Sequence, residues 1–331
     1  MSGIILSSRV RLARNYADLP FRNKITRDQS EDCVQRTLEA LRELPQAYTF
    51  LPLRGMEDND RQVLLESHLT SPDLLDHAET GAVLVRSDEK IAVMMNEEDH
   101  LRIQGFAAGE NLPEAAQNAY SIDDALQQRQ EFAFDKQWGY LTACPTNTGT
   151  GLRASVILHL PMLTLFKQMG KVNQLAAKLG LALRGIYGEG SEAQGHLYQL
   201  SNQITLGRTE KEILEAVAAT ARQMAEMERV FREKAWDKDP LGFEDQLYRS
   251  FGLLSNARRM PVKEFMVHWS NLRLGAAMEK IPSPLAVCDK LLIAAQPAHV
   301  QKAAGKDVSP RELDAFRSRI IRSMLTRPAE G

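Results

Sequence analysis

Two periodic patterns of apolar residues run along the chain and predict its secondary structure. Within residues 28–44, apolar side chains recur at Val34, Leu38 and Leu41, the spacing of one helix face. Short apolar runs predict strands, and those at 83–85 and 91–95 flank a Ser-Asp-Glu-Lys turn typical of a hairpin. Further helices are predicted at 62–69, 112–132 and 163–179, and further strands at 139–141, 155–160, 181–186 and 197–200.

The last third of the chain is predicted to be entirely helical. Thr209 and Glu212 form a capping box that opens a long amphipathic helix. Residues 237–242 then combine charge, proline and glycine, so we place a boundary there between a first domain at 1–236 and a helical domain at 243–327. Such a helical domain suits docking or dimerisation, or else it stabilises the chain as an appendage. Its helices are predicted at 244–254, 262–274, 285–295 and from a Ser309 N-cap onward.

The composition limits the classes of function. The 331 residues carry a net charge of −2, which leaves no overall basic field for nucleic acid or an anionic membrane. An anion site therefore has to be a local arginine cluster. The three cysteines, Cys33, Cys144 and Cys288, show no CxxC spacing, which argues against a disulfide framework or a structural zinc site. Without a signal sequence or an apolar run of about 18 residues, we expect a cytoplasmic protein with no membrane partner.

A loop rich in small residues, 139–156, lies between two predicted strands and holds Cys144 and Arg153. Its three glycines permit positive φ or close approach of the backbone to a ligand. These features favour a binding loop in which the thiol and the guanidinium are the reactive groups. A plain turn with a half-buried cysteine and a surface arginine is the alternative.

Two charged stretches add candidate chemistry. Residues 96–102 follow a predicted strand and contain three acids, a histidine and an arginine, which favours cation binding or proton transfer over a solvated turn. Near the start, Arg9 and Arg11 alternate about Val10, so on an extended segment both guanidinium groups face one side. They form either a two-pronged anion clamp or a basic surface strand. The sequence contains no GxxxxGK[ST] phosphate-binding motif.

Four motifs in a fixed order carry a resemblance to a known family. They read SSRVRLARN from Ser7, NEEDHLRI from Asn96, GYLTACPTNTGTGLRASV from Gly139 and RGIYGEGSEAQG from Arg184. Together they resemble the ATP:guanidino phosphotransferase family, most closely its bacterial protein-arginine kinase branch, over residues 6–325. The resemblance implies an α+β fold, in which a guanidino-kinase catalytic domain with an antiparallel sheet flanked by helices precedes a small all-α C-terminal domain.

The same resemblance implies the catalytic residues. Glu98 matches the family's catalytic glutamate and is expected to be the general base, with Glu97 beside it holding metal-bound water or setting the electrostatics. Cys144 matches a reactive cysteine and is expected to position the substrate. Glu189 is expected to hold the other side of the guanidinium, with Glu192 as the alternative.

Nucleotide-binding residues are implied in the same way. ATP and Mg²⁺ are the implied cofactors, with the metal held chiefly by phosphates and water instead of by protein ligands. His68 matches a histidine beside the nucleotide, although a structural histidine at a helix end is the alternative. The residues that match the nucleotide site are Ser7, Arg9, Arg11, His68, Arg102, Arg153 and Arg184.

We expect the acceptor to be an arginine in a protein. The metabolite kinases carry an N-terminal helical domain, whereas here the first motif begins at Leu6, and Gln199 stands where they commonly have an aspartate. An enzyme acting on free arginine is the alternative, and a phosphoarginine-binding adaptor without catalysis is less favoured.

The resemblance also implies partners. These are protein substrates with exposed arginines, the activator McsA and a Clp protease, with a homodimer formed through the C-terminal helices. Leu313 stands where the family's phosphoarginine-reading motif has an arginine, although Asp314 and Arg317 remain. We therefore expect sensing of phosphoarginine by this domain to be weakened or lost.

Overall fold

An antiparallel sheet forms the centre of the molecule. The structure is a computed structural model that describes residues 3–186, 193–305 and 308–326. The strands are β1 (Ile5–Arg14), β2 (Tyr48–Pro52), β3 (Ala82–Arg86), β4 (Ile91–Met95), β5 (Leu101–Ala108), β6 (Phe134–Asp135), β7 (Gly139–Tyr140), β8 (Leu152–His159), β9 (Leu181–Gly185) and β10 (Leu197–Asn202). Within the described residues, eight of them pair in the order β2-β3-β4-β5-β1-β8-β10-β9, and β6 and β7 form a separate ribbon.

The helices confirm most of the predicted segments. They are α1 (Arg27–Leu41), α2 (Asp58–Glu66), α3 (Pro72–Leu75), α4 (Leu112–Gln127), α5 (Pro161–Leu165), α6 (Met169–Lys178), α7 (Glu210–Lys238), α8 (Pro240–Asn256), α9 (Val262–Ala277), α10 (Leu285–Ala294), α11 (Pro297–Ala304) and α12 (Pro310–Thr326). The single helix predicted at 163–179 is wrong, because α5 and α6 are separate. Between them Lys167 has φ 56°, a left-handed conformation that a right-handed helix cannot continue through. The strands β2, β5 and β6 and the helices α3 and α11 were not predicted.

The two faces of the sheet have different surroundings. On one face, Val10 and Leu12 of β1 are buried in the main apolar core together with side chains of α1, α4 and α7. Helix α4 packs directly on β5 at Gly105, where a Cβ atom would lie 2.1 Å from the carbonyl oxygen of Ala115. Glycine is therefore required for this close approach. The opposite face carries the polar side chains of β1, β8, β9 and β10.

The C-terminal helices pack around a second apolar core. Trp269 of α9 is fully buried there, and its indole N–H donates to the carbonyl oxygen of Cys288 at 2.7 Å. Met162 and Leu197 from the sheet region belong to the same core. At the predicted boundary, α7 ends at Lys238, and the side chain of the next residue, Asp239, accepts a hydrogen bond from the first turn of α8. The division into domains at 237–242 stays a prediction.

In the part of the chain that the structure describes, none of the helices has the length and apolar character needed to cross a membrane.

Candidate active site

Five predicted arginines lie together on the polar face of the sheet. They are Arg9 and Arg11 on β1, Arg102 on β5, Arg153 on β8 and Arg184 on β9. Residues directly opposite each other on paired strands point to the same face. Arg153 is directly opposite Arg11, and Arg102 is opposite the residue two positions further along β1. Arg184 is opposite Gln199, which extends the same face to the edge of the sheet. Below, these five residues are called the arginine row.

The strand alternation also separates binding from structural arginines within one motif. Arg14 has the opposite parity to Arg9 and Arg11, so it points to the helix side of β1 and is buried. There its guanidinium donates two hydrogen bonds of 2.9 Å to the carboxylate of Asp123 on α4 and lies 3.5 Å from the ring centroid of Tyr140. Arg14 therefore fixes the packing of α4 on the sheet.

The arginine row is crowded with like charge. Burial, followed by the charges of the neighbouring Arg153 and Arg102, lowers the pKa of Arg9 to about 10. Burial, followed by Arg102, lowers the pKa of Arg11 to about 9, although Glu97 acts in the opposite direction. Holding these positive charges close together is electrostatically unfavourable, and a bound polyanion would relieve the repulsion.

At Arg9, the arginine row borders a small cavity of about 60 Å³. Its lining residues are Ser7, Arg9, His68, Phe106, Ser155, Ile157, Ile186 and Gln199. His68 follows the end of α2 with φ 60°, and burial together with the charge of Arg9 lowers its pKa to about 4. His68 is therefore neutral near pH 7, and its ring lies beside both apolar and polar side chains.

At Arg102, the arginine row meets the acidic turn that follows β4. Glu97 is fully buried and forms an ion pair with Arg102 at an Nη1–Oε2 distance of 2.6 Å. Its Oε1 accepts hydrogen bonds from Arg102 Nη1 at 2.7 Å and from the hydroxyl of Ser71 at 2.5 Å. Glu98 also accepts from Arg102, but its side chain is 38% exposed. Of the two adjacent glutamates, Glu97 is thus held in place by its partners, whereas Glu98 faces open space.

A third acid of this turn, Asp99, connects it to the cysteine loop. Its buried carboxylate accepts from the side chain of Asn15 at 2.8 Å and from the backbone N–H of Ala143 at 2.7 Å. Sequence reasoning counted Asp99 in the acidic cluster but gave it no role. The available signal was that Asp99 lies beside Glu98 in the NEEDHLRI motif. Its partner Ala143 lies in a distant loop, so this contact could not be predicted from the sequence.

Cys144 begins a tight turn beside Glu98. Its Sγ lies 3.0 Å from the hydroxyl of Thr146, and the side-chain amide of Asn147 donates to the Glu98 carboxylate at 3.4 Å. Thr205 stabilises the loop, because its hydroxyl donates to the backbone oxygens of Thr146 and Thr148 at 2.9 and 2.7 Å. The structure therefore brings the thiol and the candidate base together across one turn.

A larger cleft of about 490 Å³ opens at Glu98. Its lining residues are Phe21, Arg22, Asn23, His77, Glu98 and Ala143. Sequence reasoning did not find Arg22 or His77, because neither belongs to a motif. We call this space the acceptor cleft.

Two predicted carboxylates, Glu189 and Glu192, lie outside the described residues. Among the residues that are described, no group of three or more His, Cys, Asp and Glu side chains could hold a metal ion. The arginine row does fit a nucleotide phosphate chain, since the buried Nε of Arg153 has no hydrogen-bond partner within the described structure.

An antiparallel sheet with an arginine row that ends at a carboxylate turn defines an ATP-dependent guanidino phosphotransferase. The chain belongs to this family, because the model of the ATP:guanido phosphotransferase C-terminal catalytic domain matches residues 29–231. A second family model, the protein-arginine kinase McsB C-terminal domain, matches residues 240–330.

Relatives and solved structures agree with this assignment. The chain is 44% identical over 329 residues to a protein-arginine kinase of Symbiobacterium thermophilum, covering 98% of this chain and 93% of the relative. It is 41% identical over 328 residues to that of Caldanaerobacter subterraneus subsp. tengcongensis, covering 98% and 97%. Lombricine kinase shares the fold with a TM-score of 0.61 at 24% identity, covering 70% of this chain and 68% of the other. A duplicated taurocyamine kinase from Schistosoma mansoni gives 0.63 at 25%, covering 79% and 38%.

Proposed function

We propose that this protein transfers the γ-phosphoryl group of ATP to the guanidinium of arginine side chains in proteins. The single observation that carries the proposal is the continuity of the site: the arginine row leads from the cavity at His68 to Glu98, and the acceptor cleft opens at Glu98. The relatives named protein-arginine kinases, which span almost the whole chain, support the same assignment.

In this proposal the nucleotide lies along β1. The base would lie at the cavity beside Ser7 and the neutral His68, and the phosphates would extend over Arg9 and Arg11 toward Arg102. Charge spreads over the phosphoryl oxygens in the transition state, so fixed guanidinium groups stabilise it without having to reorganise. Bound Mg²⁺ would add to this neutralisation. It would be held chiefly by phosphates and water, and Glu97 would help to hold the metal-bound water.

The acceptor presents the harder chemical problem. A guanidinium has a pKa above about 12 and is a weak nucleophile. As its nitrogen bonds to phosphorus and the bond to ADP breaks, the nitrogen must lose a proton. In the proposed mechanism the exposed carboxylate of Glu98 accepts it. Cys144 would position the guanidinium on the second side of the turn, and we retain Glu189 as the proposed second carboxylate.

The acceptor cleft favours a protein substrate. Loop residues and a turn line it, and 38% of the Glu98 side chain remains exposed, so a polypeptide can approach the base from outside. The structural likeness to lombricine and taurocyamine kinases supports the second candidate, a kinase of free arginine. The match of the C-terminal helices to the McsB domain argues for the protein-directed branch.

The proposed partners follow from the same branch. They are protein substrates, the activator McsA, a Clp protease and a second copy of this chain bound through the C-terminal helices, all in the cytoplasm. Arg317 is buried and donates to the carbonyl oxygens of Ala295 and Met260 at 2.8 and 2.9 Å and to Asp314 at 2.7 Å. With Arg317 engaged in this way and Leu313 in place of an arginine, we expect phosphoarginine peptides to leave the kinase rate nearly unchanged. A strong stimulation would contradict this.

The test incubates the purified protein with Mg-ATP labelled at the γ-phosphate and either free arginine or an unfolded arginine-rich protein. We expect label on the protein that is lost in acid, as a nitrogen-bound phosphate would be. Label on free arginine alone would assign the chain to the second candidate, and no label on either acceptor would contradict both.

A further inference from the structure

The wall of the acceptor cleft facing Glu98 is built by a short loop that includes Arg22. The loop is fixed at its start, because His100 of the acidic turn donates from Nε2 to the carbonyl oxygen of Pro20 at 2.9 Å. It closes on itself where the N–H of Lys24 donates to the carbonyl oxygen of Phe21 at 2.8 Å. The position of Arg22 relative to Glu98 is therefore set by the same turn that carries Glu98.

The side chain of Arg22 is half-buried. Within residues 3–186, 193–305 and 308–326, the Arg22 guanidinium makes no hydrogen bond or ion pair. Burial lowers the pKa of Arg22, and the negative charges of Glu97 and Asp73 act in the opposite direction. Glu97 is already bonded to Arg102 and Ser71. A partly desolvated cation without a direct counter-ion is unfavourable, so Arg22 is available to an anion that enters the cleft.

An anion bound by Arg22 would lie in a different place from the nucleotide phosphates. Arg22 lies on a loop and lines the cleft with His77 and Ala143, whereas the phosphate-facing arginines lie on β1, β5, β8 and β9. The group that enters this cleft under the proposed function is a guanidinium, which Arg22 would repel. The repulsion becomes an attraction only if the substrate carries its own carboxylate close to the target arginine.

We propose that Arg22 is a specificity-determining residue that selects target arginines with an aspartate or glutamate within two residues in the polypeptide. Successive residues of an extended chain are about 3.3 Å apart, so a carboxylate at this separation stays within reach of a long arginine side chain. Phe21, which is 36% exposed, offers an apolar surface beside it for the substrate backbone. The inference rests on the proposed protein-arginine kinase activity.

The experiment uses the full-length protein and unstructured peptides, each with one arginine flanked on both sides by aspartate, alanine or lysine. The measured quantity is kcat/KM for acid-labile phosphate incorporation. We expect the aspartate-flanked peptide to exceed the alanine-flanked one about fivefold, the scale of a partly exposed ion pair. The ratio should approach one in Arg22→Gln, and in Arg22→Glu the lysine-flanked peptide should become the preferred one.

Lys24→Glu is the matched control, because it makes the same charge change on the same loop at an exposed residue outside the cleft lining. It should retain the preference for aspartate, and the KM for ATP should stay the same in all three variants. An equal rate on the three peptides by the unaltered protein, or an equal shift in Lys24→Glu, would overturn the role of Arg22 while leaving the kinase proposal intact. Absence of phosphate on every peptide would overturn both.

Discussion

The proposed nucleotide side and the proposed acceptor side of the site are held in place in different ways. On the nucleotide side, Arg11 and Arg153 are set by direct pairing of β1 with β8 in the middle of the sheet. On the acceptor side, Glu98 and Cys144 lie on turns that single side chains hold together. Asp99 links the two turns through the backbone of Ala143 at 2.7 Å.

The difference shows how one fold can serve different acceptors. Sheet register resists change, because a one-residue slip would turn every arginine to the wrong face. Turns and loops tolerate substitution and carry most specificity in proteins. Lombricine kinase and a duplicated taurocyamine kinase share the fold of this chain.

Arg102 belongs to both sides, so its removal should have the largest effect. In Arg102→Ala, the buried carboxylate of Glu97 loses the partner at 2.6 Å. We expect the free energy of unfolding, measured with urea, to fall by about 3–5 kcal/mol, the cost of breaking a buried ion pair, and phosphoryl transfer to be lost. Arg102→Lys, which keeps the charge, should be less destabilised. Unfolding unchanged in the alanine variant would contradict a structural role for the pair.

Arg153 tests the nucleotide side alone. Arg153→Ala should raise the KM for ATP and lower kcat, reducing kcat/KM about 100-fold, as removal of one preorganised donor does in other enzymes. The KM for the protein acceptor should change little. Steady-state kinetics with each substrate varied in turn measure the KM for ATP and the KM for the acceptor. A change confined to the acceptor KM would contradict the assignment of Arg153 to the nucleotide side.

Cys144 tests the acceptor side. Cys144→Ser keeps a small polar group near Thr146 but loses the larger sulfur atom, so the acceptor should be held less well. We expect kcat to fall about tenfold through misplacement of the guanidinium, with ATP affinity unchanged in a titration. A weaker ATP affinity would show that the two sides are not separable at this loop.

His68 gives a smaller, pH-dependent effect at the far end of the nucleotide side. Its folded pKa of about 4 lies below the ordinary histidine value of 6.5, so the unfolded chain binds the proton more readily between these values. The stabilisation from neutral His68 is fully present above pH 6.5 and is lost progressively as the pH falls through the folded pKa. Urea unfolding of the protein and of His68→Gln across this range should show a shallower slope for the variant, and equal slopes would contradict the buried, neutral state.

The sequence predicted the two sides unequally. Alternation about Val10 correctly placed Arg9 and Arg11 on one face, because strand periodicity is a local property. The convergence of Arg102, Arg153 and Arg184 followed from the family resemblance, since strand order and register depend on contacts far apart in the chain. The fold class also followed from the family resemblance, and the family match and the shared fold of lombricine kinase confirm it.

What the sequence missed lies mostly in loops and turns. The link from Asp99 to Ala143 joins residues 44 positions apart, and Arg22 lines the cleft without belonging to any motif. The break between α5 and α6 was hidden because the apolar spacing of 163–179 continues across Lys167, whose left-handed conformation only the structure reveals. The roles of the individual site residues remain predictions.

The central claim is that Glu98 takes the proton while the arginine row binds ATP, and Glu98→Gln tests it most directly. Glutamine keeps the shape of the side chain but cannot accept the proton. We expect phosphoryl transfer, followed in a single turnover with labelled ATP, to fall about 10²- to 10⁴-fold, with ATP affinity in a calorimetric titration nearly unchanged. Transfer at the unaltered rate would contradict the assignment of Glu98 as the base, and lost ATP binding would contradict the separation of the two sides.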